Sequence, residues 1–140
     1  VRAGTILALA LSTSALAIAP AHALEFWVDG ATGNDARSPI QAQSKATPWK
    51  TIVRALETVT AGHSIRVRPG TYVERLESEA PGVSLAADGA PGSVVIESAP
   101  GATGLLVTHA DVSVSGFSFA GGLRGVRSLG SPGLVLRDVS

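Results

Sequence analysis

The chain has 140 residues, a formal net charge of zero, and neither cysteine nor methionine. That length allows one domain at most. Without a basic block, and with aromatic residues at 4%, the sequence gives no basis for nucleic-acid binding through charge; without cysteine there is neither a disulfide framework nor a thiolate zinc site.

Residues 1–23 read as a secretory signal peptide. Arg2 gives a positive start, "ILALAL" and "ALAIA" give an apolar middle, and Ala21-His22-Ala23 is a small-x-small site, so cleavage is expected after Ala23. The apolar middle is broken by Ser12-Thr13-Ser14 and falls short of the ~18–20 residues a membrane span needs. The expectation is a secreted protein, extracellular or periplasmic, with no stable membrane span after cleavage. "EFWVD", Glu25 to Asp29, then reads as a short strand. Gly30 to Ala46 has Gly, Asn, Asp, Ser and Pro and no apolar period, which predicts a long loop.

The next stretch predicts a helix over 48–60. Thr47 suits the cap and Pro48 the first helical position. Trp49, Ile52, Val53, Leu56 and Val59 fall on one face, Lys50, Thr51, Arg54 and Glu57 on the other, and Gly62 is the stop. Ile65 and Val67 then alternate with Arg66 and Arg68, a strand with one buried face, and Pro69-Gly70 turns it into Thr71-Tyr72-Val73.

Beyond residue 80, short apolar pairs stand between Gly-rich turns. "GLLVTHADVSVSGFSF" from Gly104 resembles "GVRSLGSPGLVLRDVS" from Gly125. Matching Val112 to Leu134, Val114 to Leu136 and Phe117 to Val139 gives 22 residues each time, as does matching Val83 to Leu105 and Leu85 to Val107. A period of about 20–25 residues suits stacked coils of short strands, whose inward Val, Leu, Ile and Phe form one column. The first coil then exposes apolar interior and unpaired strand edges, and the amphipathic helix at 48–60 is the candidate lid. Three segments follow: 1–23 signal peptide; 24–80 strand, loop, capping helix and first coil; 81–140 further coils. "LVLRDVS" stops inside a strand-and-turn pattern, so the chain is expected to be a fragment of a longer one.

"FWVDGATGND" and "TPWKTIVRALETVTAGHSIRVRPGTYVERL" together resemble the N-terminal segment of secreted right-handed parallel β-helix proteins, the pectate-lyase-like superfamily. The likeness covers residues 26–76: a Val-Asp strand, a Gly-x-Asp loop, a Pro-aromatic-Lys-Thr-Ile helix, and a Pro-Gly-x-Tyr-x-Glu strand. It departs at His63, where the family usually has Asp, and in Ala36 to Ala46, which lacks the usual Gly. The resemblance implies an all-β, right-handed parallel β-helix (a solenoid) with an N-terminal amphipathic α-helix cap. It also implies an exported protein acting on polysaccharide as a lyase, hydrolase or epimerase, with catalytic coils after Ser140. The alternative is a non-catalytic surface, adhesion or glycan-binding β-helix protein.

Arg66 and Arg68 share the outward face of one strand and suit bidentate grips on carboxylates of an acidic glycan; a solvated outer face near the cap is the simpler explanation. Arg127 and Arg137 extend such a strip if they face the same way. Asp29, Asn34 and Asp35 put three oxygen donors in a Gly-bearing loop, the ligand type calcium takes. Their spacing is not that of the twelve-residue calcium loop, and turn-forming Asx residues give the same pattern. His109-Ala110-Asp111 reads as a base with a carboxylate or as a turn, and Glu74, Glu77 and Glu79 as a carboxylate source or a solvated face. His63 reads as a turn residue and Tyr72 as packing. "AGGLRG" has neither the Lys-Ser end nor the strand-then-helix setting of a phosphate loop.

Overall fold

A computed structural model describes residues 22–140; residues 1–21, which carry nearly all of the expected signal peptide, lie outside the described residues. In chain order the elements are β1 (Glu25–Val28), α1 (Pro39–Ala42), α2 (Ile52–Thr58), β2 (Ser64–Val67), β3 (Gly70–Tyr72), β4 (Leu76–Glu77), β5 (Ser84–Ala87), β6 (Val94–Ser98), β7 (Thr103–Val107), β8 (Ser113–Ser115), β9 (Phe117–Gly121), β10 (Arg124–Ser128) and β11 (Val135–Arg137). The strands form three sheets, β1-β2-β5-β8-β11, β3-β6-β9 and β4-β7-β10. Every strand pairing is parallel. From β2 onward the chain visits the three sheets in fixed rotation, a topology consistent with a β-helix.

Alternation decides what lies inside. Phe26, Ile65, Leu85, Val114 and Leu136 are register partners across the five-stranded sheet. All but Leu136, on the edge strand, are buried. Tyr72, Ile96 and Phe119 form such a row in the second sheet, and Leu76, Leu105 and Val126 in the third. Apart from Leu136, these rows meet in one apolar cluster, and each large side chain withdrawn from water contributes about 1.5–3 kcal/mol.

The register corrects part of the expected period. Val114 pairs with Leu136, 22 residues on, as the sequence suggested. Leu85, however, pairs with Val114, and Leu105 with Leu76 and Val126. Val83 and Leu85 therefore do not stand in the same sheet as Leu105 and Val107. The step between coils varies: Ser64 pairs with Ser84, and Ser84 with Ser113. The turn entering the five-stranded sheet keeps the same step. Gly62, Gly82, Asp111 and Gly133 all have positive φ there (80°, 68°, 57° and 73°), and the N–H of each of the first three donates to a carbonyl of the facing turn. Left-handed geometry favours glycine, with Asp among the few tolerated substitutes.

The helix is shorter than expected. Thr47 is not its cap and Pro48 is not its first residue; Thr51 is the N-cap, its hydroxyl accepting from the Arg54 N–H at 3.2 Å. Pro48-Trp49 is extended instead. The Trp49 N–H donates to the Trp27 carbonyl at 2.9 Å, and the Asp29 N–H to the Trp49 carbonyl at 2.8 Å. Pairing alongside β1 thus replaces the first helical turn. Ile52, Ala55 and Leu56 are buried, and α2 packs against β1 and β4. The expected loop at 30–46 contains α1, which starts with a capping box between Ser38 and Gln41. Four residues are too few to show an apolar period.

Candidate functional site

The outward face of the five-stranded sheet follows from the same alternation. Its register sets two rows across the strands. One is Glu25, Ser64, Ser84, Ser113 and Val135; the other is Trp27, Arg66, Ala86, Ser115 and Arg137. β5 and β8 carry only Ser and Ala on this face. The floor is therefore low, and a trough of about 320 Å³ is bounded by Ser84, Ser113, Ser115, Val135 and Arg137. The serine hydroxyls both donate and accept.

The β1 side of this face is charged and paired. Arg66 Nε lies 3.1 Å from Glu25 Oε2. Arg68, just past the end of β2, has its Nε 3.7 Å from Asp88 Oδ2, and Lys45 Nζ, reaching over from the loop after α1, is 2.9 Å from the same oxygen. The Lys45 ammonium also stands 4.9 Å above the Trp27 ring. Arg66 and Arg68 thus lie outside the core while Ile65 and Val67 are fully buried. Arg137 is in the same row as Arg66. Arg127 is not: it pairs with Leu106 in the β4-β7-β10 sheet, so the proposed strip does not include it. Among the described residues Arg137 makes no ion pair.

The three oxygen donors of the first loop each have a local use. Asp29 accepts from the N–H groups of Ala31 and Thr32 and from the Thr32 hydroxyl. Burial pushes its carboxyl up, but these hydrogen bonds outweigh burial and hold it below the usual value. Asn34 accepts from the Ala36 N–H at 2.9 Å. Asp35 accepts from the N–H groups of Lys50 and Thr51 and from the Thr51 hydroxyl, at the start of α2. No cluster of three or more His, Cys, Asp or Glu suited to a metal occurs among the described residues.

Glu74 reaches the same helix start from the strand side. Its two oxygens accept from Ile52 N at 3.1 Å and Val53 N at 2.9 Å. Together with Asp35 and Thr51 it satisfies the orphan N–H groups of the first turn. Burial raises the Glu74 carboxyl above its ordinary value despite these two N–H groups, and the Asp35 charge adds to the rise. A carboxyl raised in the folded state binds its proton more tightly folded than unfolded. Its contribution to stability therefore declines as pH climbs from the ordinary carboxylate range through the raised value. Glu74→Gln keeps one accepting oxygen and removes that titration. Melting curves from about pH 4 to 7 should show the variant gaining on the wild type as pH rises; a gap that is flat or moves the other way contradicts this.

Glu74 also borders an open groove of about 350 Å³ with Val73, Arg75, Glu97, Ser98 and Ala102. Glu77 and Glu79 are exposed. His109 Nδ1 lies 3.1 Å from both the Ser78 and Thr108 hydroxyls, and the buried Ser78 Oγ accepts from the Thr108 N–H at 2.9 Å. Asp111 takes the left-handed turn position, and no hydrogen bond joins it to His109. Ser78, the hydroxyl partner of His109, went unnoticed in the sequence, because 31 residues separate the two. His63 Nδ1 accepts from the Leu24 N–H at 2.9 Å, which ties down the start of β1. Tyr72 is buried, donates to the Arg68 carbonyl at 2.8 Å and accepts from the Gly30 N–H at 3.1 Å. Burial raises its phenol. Lys45, Asp88, Glu25 and the serines at 84, 113 and 115 also escaped sequence reading; the alternation at 84–86 and 113–115 is the signal that carries the serines.

Residues 31–87 match the model of a family described as a protein of unknown function (DUF1565), a family associated with parallel β-helix proteins. The match runs from the first loop to the end of β5. No curated protein matches the chain.

Proposed function

We propose that this chain is the leading part of an exported, right-handed β-helix solenoid. In this reading Trp49 and α2 close one end of the apolar column, and the outward face of the five-stranded sheet binds a glycan. The observation that carries the glycan reading is the continuous trough across β5, β8 and β11. It is lined by Ser84, Ser113, Ser115, Val135 and Arg137, and Trp27 and Arg66 stand on the same outward face toward β1. A groove rich in hydroxyls with a guanidinium donor at its rim suits sugar rings.

Binding stands ahead of catalysis here. A lyase or hydrolase acting on an acidic glycan needs a base beside the sugar, and the carboxylates at this face, Glu25 and Asp88, are both held in ion pairs. The surface or adhesion reading therefore fits residues 22–140 better than the enzymatic one. No helix among the described residues is long and apolar enough to cross a membrane.

Ser84→Trp fills the trough from an outward position. Affinity for polysaccharide, measured across a panel by affinity electrophoresis, should fall at least ~10-fold, about 1.4 kcal/mol, with the melting temperature unchanged. A folded variant that binds as tightly as wild type would remove the trough from the account.

A further inference from the structure

We propose that His63 is the docking site for a new amino terminus: scission of the Ala23–Leu24 bond leaves an ammonium that His63 holds, so that removal of the leader latches β1 onto the first coil; this rests on the exported reading above. Two positions coincide. The small-x-small pattern ends at Ala23, and the ties to the column begin one residue later. His22 and Ala23 are exposed, lie outside any helix or strand, and make no hydrogen bond among the described residues. Leu24 has both backbone groups held. Its N–H donates to His63 Nδ1 at 2.9 Å, and its carbonyl accepts from the Ser64 N–H at 2.9 Å.

The His63 ring is itself fixed. It stands edge-on to Phe26, with centroids 6.0 Å apart and planes at 65°, and Phe26 stacks on Trp49. Its backbone carbonyl accepts from the Ser84 N–H at 3.1 Å, on the next coil. Nδ1 accepts only when it carries no hydrogen, so this bond selects the neutral ring with its hydrogen on Nε2. Hydrolysis adds water across the Ala23–Leu24 bond. The hydroxyl goes to the Ala23 carbonyl, which leaves as a carboxylate, and the Leu24 nitrogen takes up protons to become an ammonium at neutral pH. A neutral donor to Nδ1 thereby becomes a charged one, and charge-assisted hydrogen bonds are roughly twice as strong as neutral ones. The adjoining carboxylate, Glu25, is paired with Arg66.

The test starts from the full chain expressed in a bacterial host that exports it. Amino-terminal sequencing of the exported protein should begin at Leu24. A chain cut elsewhere overturns the latch and leaves export standing; an uncut chain overturns both. On the processed protein, an aminopeptidase should release Leu24 at least ~10-fold faster from His63→Ala than from wild type, since cleavage follows the population of the undocked end. His63→Asn, whose amide oxygen restores an acceptor, should recover most of the protection. Acetylating the Leu24 amine keeps an N–H and removes the charge, so hydrogen exchange of the β1 amides should quicken in the acetylated protein. Equal release from wild type and His63→Ala, or β1 exchange indifferent to acetylation, overturns the latch while export and the cleavage position stand. Circular dichroism reports whether His63→Ala keeps its fold, and the acetylation arm needs no substitution.

Discussion

Replacing Trp49 with alanine is expected to destabilise the protein by about 3–5 kcal/mol, the range for deleting a large buried aromatic. Trp49 is fully buried. Its ring stacks on Phe26, with centroids 5.5 Å apart and planes 5° from parallel, and the Arg54 guanidinium lies 5.9 Å from its centre. The indole N–H donates to the Arg37 carbonyl at 2.8 Å, so the substitution also strands a part-buried acceptor. Trp49 belongs to the same apolar cluster as Ile65 and Leu85, so the cavity opens at the first coil. Urea unfolding of the two proteins measures the difference directly. A loss below about 1 kcal/mol, typical of a surface change, would mean that the ring does not close the column.

Gly33→Ala is expected to have the next largest effect, about 3 kcal/mol, at the upper end for forcing atoms into a filled site. A Cβ at Gly33 would collide with the backbone carbonyls of Asp29 and Trp49. Neither can step aside. The Gly33 N–H donates to the Asp29 carbonyl at 2.8 Å, and the Trp49 carbonyl accepts the Asp29 N–H. Relieving the clash means shifting the strand end or the segment that carries Trp49. The two substitutions therefore act on one structural unit, and the double variant should lose less than the sum of the single losses. Additive losses would show that the loop and Trp49 are independent.

This unit also shows what a sequence reader can and cannot see. The Gly-x-Asp of the first loop and the Pro-Gly-x-Tyr-x-Glu after β2 stood out as a pattern, and the contacts give each residue a physical task. Gly33 permits the close approach to Trp49, and Asp35 caps α2. Tyr72 ties the Gly30 backbone to the end of β2, and Glu74 caps α2 from the opposite side. The apolar face of the helix was equally legible, because its periodicity is local. The helix start was not, because pairing of Trp49 with β1 is a long-range contact that overrides a good local cap at Thr47. The coil period was legible only where successive coils are equal in length; the longer step from Ser84 to Ser113 set the matching of Val83 with Leu105 one sheet out. At the candidate site, Arg66 and Arg68 were visible as outward residues. Their partners were not, since Glu25 lies 41 residues from Arg66 and Asp88 is fixed only by the coil register.

Disulfide trapping tests the parallel register most directly, since the chain has no cysteine of its own. Ser84 and Ser113 are register neighbours on the five-stranded sheet, whereas Leu106 lies on β7 in another sheet. With Ser84→Cys and Ser113→Cys together, mild oxidation of the folded protein should give an intramolecular disulfide in high yield. Ser84→Cys with Leu106→Cys, the pair that a uniform 22-residue period would bring together, should stay reduced, because a bond needs Cα atoms within about 7 Å. Efficient bonding in the second pair, with none in the first, would contradict the three-sheet column and the outward face built on it.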